Sequence, residues 1–404
     1  MERRQNRIYK ALVFYWIVLV VWQNISTTVT RTGLDLVIKV ILILWITFEF
    51  LRVKHTVGKK CIPFVLFALF MVLAYCLNER TNELSVIINY AYPLLFVFLT
   101  YVVGDRFTIN RRELLQICNG VILVVAYMAL YAIIFDNDQI VSALSIQSAY
   151  GNELRSFFVS SHEYGLYLAG GIVSCLIALR IKARERIQEK YYYWIAMFLF
   201  FPNLILTFSR TSLLGLICVV AVLLVFSKRN NIKKYLIVCV LLLALLLVCN
   251  PSLRNYAYTV VLKENKLGGR GDLYRLAISY YSGGTVMEKI FGHGVETTRA
   301  YFEIMTTHGS VHNAYLQMLL FFGLIGFTIM MAFLVIQVAG VFKIFRKDRF
   351  CGSMMLAVLV MGLAIMFTDT TYIFFPSTDS YFLTIIAIVF PKYIRNAIQS
   401  DSFM

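Results

Sequence analysis

A run of roughly twenty apolar residues recurs along this chain, and lysine and arginine gather on every second connection between the runs. A stretch of about 20 apolar residues is the length a helix needs to cross a bilayer's hydrocarbon core. With 60% hydrophobic residues over 404 positions, the chain exceeds the 45–50% of soluble domains. Lipid offers no hydrogen bonds to the backbone, so each crossing segment must satisfy its own amides, as a helix does. The runs place spans near 9–28, 33–51, 61–77, 85–103, 114–135, 164–180, 191–209, 211–227, 235–250, 314–342, 353–374 and 380–396. The expected fold is therefore an all-α integral membrane protein of about 12 transmembrane helices, with one large, partly helical extracytoplasmic loop before the tenth span. Spans 191–209 and 211–227 abut at Arg210 and can equally be read as one broken helix. Residues 1–250 hold the first nine helices, 251–313 the large loop, and 314–404 the last three helices and a tail.

Charge orients these spans. Basic residues cluster at the N-terminus (Arg3, Arg4, Arg7, Lys10) and on the even connections. These carry Arg52, Lys54, Lys59 and Lys60; Arg106, Arg111 and Arg112; Arg180, Lys182, Arg184, Arg186 and Lys190; Lys228, Arg229, Lys233 and Lys234; and Lys343, Arg346, Lys347 and Arg349. Four of the odd connections hold one each: Arg31, Arg80, Arg155 and Arg210. Basic loops stay in the cytoplasm. That rule puts both termini inside and residues 251–313 outside the membrane. The net charge of +16 then reflects orientation and contact with anionic membrane lipids. A nucleic-acid partner is excluded, because no single folded face collects the basic residues. The eight cysteines fall in or beside spans without metal or redox spacing and read as small packing residues. The first apolar run is too long for a cleavable leader.

Chemistry is expected outside. Connections 136–163 and 251–313 are long, and long connections are uncommon unless they function. Within the second, Leu273, Leu276, Ala277, Tyr280 and Tyr281 recur at helical spacing behind Asp272 as N-cap. A second helix is expected over 296–305. Both are expected to lie flat on the outer membrane surface. Of five histidines, His55 is cytosolic, His162 lies in the first long connection, and His293, His308 and His312 crowd the second. Histidine exchanges protons near neutral pH more readily than any other side chain. His308 and His312 have the i, i+4 spacing of zinc ligands. Gly309 and Ser310 intervene, however, and no glutamate follows His308, so no metal site is expected. Arg210, Arg270, Arg275 and Arg299 share the outer side. A guanidinium grips phosphate with a two-pronged fork and keeps its charge. Asp35 and Lys39 read as a neutralising i, i+4 pair, Glu49 as reaching toward the cytosolic surface, and Asp369 and Asp379 as interfacial polar residues. Pro93 and Pro202 predict kinks.

Four motifs carry a resemblance. Thr207-Phe208-Ser209-Arg210-Thr211-Ser212, Gly269-Arg270-Gly271-Asp272-Leu273-Tyr274, Ile290-Phe291-Gly292-His293-Gly294, and His312-Asn313-Ala314-Tyr315-Leu316-Gln317 with Gly323-Leu324-Ile325-Gly326 occur in that order. Together they resemble the O-antigen polymerase and ligase superfamily over about residues 157–330. Ser161-His162-Glu163-Tyr164-Gly165 departs from the Pro-Asn pair often found at that place. The resemblance implies a glycosyltransferase that moves a glycan from a polyprenyl diphosphate to an acceptor hydroxyl without metal or cofactor. The donor, a polyprenyl-diphosphate-linked oligosaccharide, is then its main partner, and a flippase and a chain-length regulator are the implied protein partners.

Such chemistry needs a base for the acceptor and positive charge for the departing diphosphate. His312 is the expected base. Arg210, Arg270 and Arg275 are the expected diphosphate ligands, and Asn313, Ser209, His308 and Glu163 the supporting residues. A polymerase of O-antigen, capsular or exopolysaccharide repeat units is favoured over a ligase to lipid A-core, because near balance of charge outside suits an uncharged sugar acceptor. The rival classes are a flippase or transporter, which would show related halves, a cell-wall polymerase, and a sensor or scaffold without chemistry.

Overall fold

A computed structural model describes residues 108–145, 153–158, 160–184, 190–226, 270–306, 310–370 and 382–399, with isolated helical positions between 41 and 70. Among these residues the structure is helical throughout. The elements are α1 (Arg111–Phe135), α2 (Asn137–Ser145), α3 (Ser161–Arg184), α4 (Tyr191–Leu206), α5 (Arg210–Phe226), α6 (Arg270–Gly283), α7 (Val286–Phe291), α8 (Val295–Met305), α9 (Ala314–Lys347), α10 (Arg349–Thr368) and, after a π-helical turn at Ile385–Val389, α11 (Phe390–Gln399). Of these, α1, α3, α9 and α10 are long and apolar enough to cross a membrane, and α4 and α5 are shorter apolar helices. The protein is thus a helical membrane protein. The predicted spans up to residue 103, span 235–250, Asp35, Lys39, Glu49, His55, Pro93, His308 and Asp379 lie outside the described residues, save for isolated positions in 33–51 and 61–77.

Local chemistry sets the ends. Asn110 and Glu113 form a capping box on α1, each side chain accepting the other's backbone N–H at 2.9 Å. Asp348 closes the turn into α10 by accepting from Phe350 and Cys351 N–H. The abutting spans at Arg210 resolve into two helices. Between them Thr207 donates its hydroxyl to Leu204 O and accepts from Ser209 N–H, while Phe208 takes a left-handed φ of 50°. Span 353–374 shifts toward the N-terminus, to Arg349–Thr368. In 380–396, the π turn precedes Pro391, which has no N–H to donate and whose ring would crowd the carbonyl of a regular turn.

Helix packing uses small residues, as expected where lipid removes the hydrophobic drive between helices. Gly215 brings α5 against Met361 and Ile365 of α10. Tyr164 of α3 donates to Asn203 of α4 at 3.1 Å, a buried polar tie that sets their register. Outward faces stay apolar: Phe198 is 82% exposed and Trp194 61%. On a membrane-crossing surface such faces meet acyl chains. Among the described residues, the basic clusters gather at one end of the bundle. There Arg180 lies over Phe350, Lys182 over Tyr192 and Arg349 over Phe345.

The tenth predicted span is one 34-residue element broken at Gly323, whose φ is 62° and ψ −168°. The break withdraws helical N–H partners from the preceding carbonyls. The turn between α7 and α8 supplies replacements: His293 N–H donates to Leu320 O at 2.7 Å and Gly294 N–H to Phe321 O at 3.3 Å. Both glycines are required. A Cβ on Gly292 would lie 2.2 Å from Phe321 O, and one on Gly323 2.4 Å from Ile290 O. The two glycine motifs of the sequence are therefore halves of one backbone joint. The first loop helix starts at Arg270, so Asp272 falls in its first turn rather than at its cap. The loop helices pack inward on α9 through Leu273, Ala277, Val295 and Phe302. Ile278, Val286, Met287 and Ile304 stay exposed for any contact with the bilayer surface.

Candidate functional site

At the end opposite the basic clusters, four helix N-termini meet the C-terminus of α10. His162 lies in the first turn of α3, Arg210 opens α5, Arg270 opens α6 and Asn313 caps α9. Direct contacts join them. His162 Nδ1 lies 3.3 Å from Ser209 Oγ, Thr211 Oγ1 donates to Thr368 O at 3.4 Å, and Tyr274 OH donates to His312 O at 3.2 Å. Helix N-termini carry partial positive charge and aim N–H groups outward, which suits an anion.

His312 sits at the centre of this arrangement. Its φ is 51°, in the left-handed region that costs a residue with a Cβ. Such strain persists where surroundings over-determine it, commonly at functional sites. Here Tyr274 holds the His312 carbonyl, and the next residue, Asn313, is tied down by accepting from Leu316 N–H at 3.0 Å. Ser156 and Phe208 are the other non-glycine residues with positive φ among those described. Phe208 directly precedes Ser209. His312 Nδ1 lies 3.8 Å from Asp369 Oδ1, an ion-pair contact looser than a hydrogen bond. The His312 side chain is 23% exposed, so the group is open to a ligand.

Asp369 caps the C-terminus of α10 and accepts from Thr370 N–H at 2.7 Å. Burial pushes its carboxyl up, but the imidazoles of His312 and His162 and the Thr370 amide outweigh burial and hold it below the usual carboxylate range. It is thus a carboxylate beside a histidine, the pairing that orients an imidazole and steadies its charged form.

The expected site residues fall as follows. His312, Asn313 and Ser209 converge through the contacts above, Arg210 follows Ser209 directly, and Arg270, on the helix that Tyr274 ties to His312, acts electrostatically on His162. Glu163, half-buried, adjoins His162 in the same helical turn. Arg275 does not join the group. It is 86% exposed and lies 3.7 Å from Asp272 on the solvent face. His308 lies outside the described residues. Sequence reasoning missed three members. Asp369 read as an interfacial polar residue, although an ionisable group at the end of an apolar span is a signal in itself. His162, expected in the long connection 136–163 without a role, lies instead in the first turn of α3. Glu153, which accepts from Ser161 at 2.9 Å, had no signal at all. Among the described residues, no cluster of His, Cys, Asp and Glu has the arrangement of a metal site.

The segment that holds three of these N-termini and the glycine joint is recognisable by comparison. Residues 195–331, about a third of the chain, match the family model described as O-Antigen ligase. No curated protein matches the chain.

Proposed function

We propose that the protein is a polytopic membrane glycosyltransferase that joins polyprenyl-diphosphate-linked oligosaccharide repeat units into O-antigen, capsular or exopolysaccharide on the outer face of the cytoplasmic membrane. The convergence of four positive helix ends, two arginines and a carboxylate-paired histidine at the end away from the basic clusters carries this reading. Family members are membrane enzymes of the glycosyltransferase kind that act on lipid-linked glycans.

Arg210 and Arg270 hold the donor diphosphate, and Arg275 adds only to the field from the exposed side. His312, oriented through Nδ1 by Asp369, takes the acceptor hydroxyl proton on Nε2 as that oxygen bonds to the anomeric carbon. The bond from that carbon to the diphosphate breaks, and its electron pair leaves with the polyprenyl diphosphate. A single displacement of this kind inverts the anomeric centre. The imidazolium rests against Asp369 until it returns the proton to water. Diphosphate is a good enough leaving group that guanidinium charge suffices, so the reading routes no step through a metal ion.

Purified protein given lipid-linked repeat units in the presence of a chelator should build a ladder of products. Arg210→Lys should raise KM for the donor about tenfold, because a point charge cannot replace the fork. An unchanged KM would refute the diphosphate assignment. Transfer onto lipid A-core is equally compatible with the family match. Supplying that acceptor in place of a second repeat unit separates the two outcomes.

A further inference from the structure

We infer that His162 is a third ligand of the donor diphosphate: its Nδ1 accepts from the Ser209 hydroxyl, and its Nε2–H donates to a diphosphate oxygen beside Arg210 and Arg270. This rests on the functional reading above and adds a residue to it. The geometry comes from a close approach of two helices. Gly165 lies one turn beyond His162 on α3. A Cβ there would stand 2.8 Å from Ser209 Cβ and 2.9 Å from Ser212 Oγ. The missing side chain lets the start of α3 touch the start of α5, and His162 Nδ1 reaches Ser209 Oγ at 3.3 Å. Ser209 Oγ is itself held, 2.9 Å from Ser212 Oγ and accepting from Ser212 N–H at 3.4 Å. The imidazole is therefore anchored on the residue directly before Arg210, with one nitrogen committed and the other left for a ligand.

The charges facing this ring are Asp369, Arg270, Glu153 and His312. Two are carboxylates, and two are groups that oppose a further cation, so the surroundings do not demand an imidazolium. A neutral imidazole at a helix N-terminus can still serve as an electrophile by donating a hydrogen bond. His312 has the complementary setting. Its contact is a carboxylate that stabilises the charge a base acquires, whereas a serine hydroxyl offers His162 no such charge. The two histidines thus divide the work. One removes the acceptor proton, and the other steadies the negative charge growing on the leaving diphosphate.

The test uses full-length protein with farnesyl diphosphate as the binding probe, alongside turnover of lipid-linked repeat units. A hydrogen bond to a charged group contributes about tenfold or more in affinity. His162→Ala and His162→Asn should weaken farnesyl diphosphate binding about tenfold. Asn reproduces only the Nδ1 position. His162→Gln should stay within about threefold of wild type, since its amide nitrogen falls near the Nε2 position. Ser209→Ala, a milder change should the histidine variants fail to fold, should cost about threefold by freeing the ring. Wild-type binding in His162→Asn or in Ser209→Ala, or Gln as damaging as Ala in folded protein, would overturn the assignment. If Arg210→Lys weakens binding while His162→Asn does not, only this inference falls. If the wild-type protein does not bind the probe, the diphosphate reading falls with it.

Discussion

Two histidines in this molecule stand at nearly the same distance from a carboxylate, in different surroundings. His312 Nδ1 is 3.8 Å from Asp369, and His293 Nδ1 is 3.7 Å from Glu288. The His293 side chain is only 4% exposed. It stacks on Tyr280 at 4.2 Å, which stacks on Tyr301 at 3.9 Å. Its partner Glu288 is already committed to the capping box of α7 with Thr285. His293 is thus a flat, packed block that supports the backbone joint between the loop and α9. His312 has a strained backbone, an open face and arginines nearby. Separation from a carboxylate does not make a catalytic pair. Access, and the charges converging on the open side, distinguish the two.

The contrast breaks most easily by truncation. In folded protein, His312→Ala should lower glycan transfer by about 10²–10⁴-fold, the range expected for a lost general base. His293→Ala should leave turnover within about threefold but lower stability by about 1–3 kcal/mol, through the emptied stack. Transfer rates paired with melting of the detergent-solubilised protein separate these effects, and a reversed pattern would exchange the two roles. Next in size, Asp369→Asn should reduce kcat about 10²-fold with little change in donor KM, because it misorients the base without touching the diphosphate ligands. Glu288→Gln should leave kcat unchanged.

The pH dependence sharpens the same contrast. Burial depresses His293 from its ordinary value of 6.5, and nearby Glu288 only partly offsets this. The unfolded chain therefore binds the proton more readily than the folded one. The contribution of His293 is fully present above pH 6.5 and is lost as pH falls through its folded value. Asp369, also depressed, contributes fully above its ordinary 3.8 and loses that contribution only as pH falls through its lower folded value. Melting temperatures measured from pH 7.5 down to 5 should fall in wild type and fall less steeply in His293→Gln, whereas Asp369→Asn should retain the His293 part of the slope in that window. The smallest effect expected is that of Arg275→Ala, within about twofold in donor KM, because the side chain is 86% exposed and its field is screened by water.

Much of this was legible in the chain itself. Apolar runs place α1, α3, α9 and α10, because a helix in lipid must satisfy its own backbone and needs a fixed length to do so. The spacing of Leu273, Ala277 and Tyr280 announces α6, and Glu296 to Met305 announces α8, since burial on one face repeats every helical turn. His312 and the arginines stood out because their chemistry is carried by residue type. The sequence does not say which partners they meet. Asp369 reaches His312 across the whole of α9 and α10, and Ser209 reaches His162 across α3 and α4. The joint between Gly292 and Gly323 needs two broken backbones facing each other, and neither motif alone declares its counterpart. Hydropathy, charge and capping act within a few residues and can be read along a line. Pairing between distant segments depends on how helices pack, and that was decided only when the fold closed.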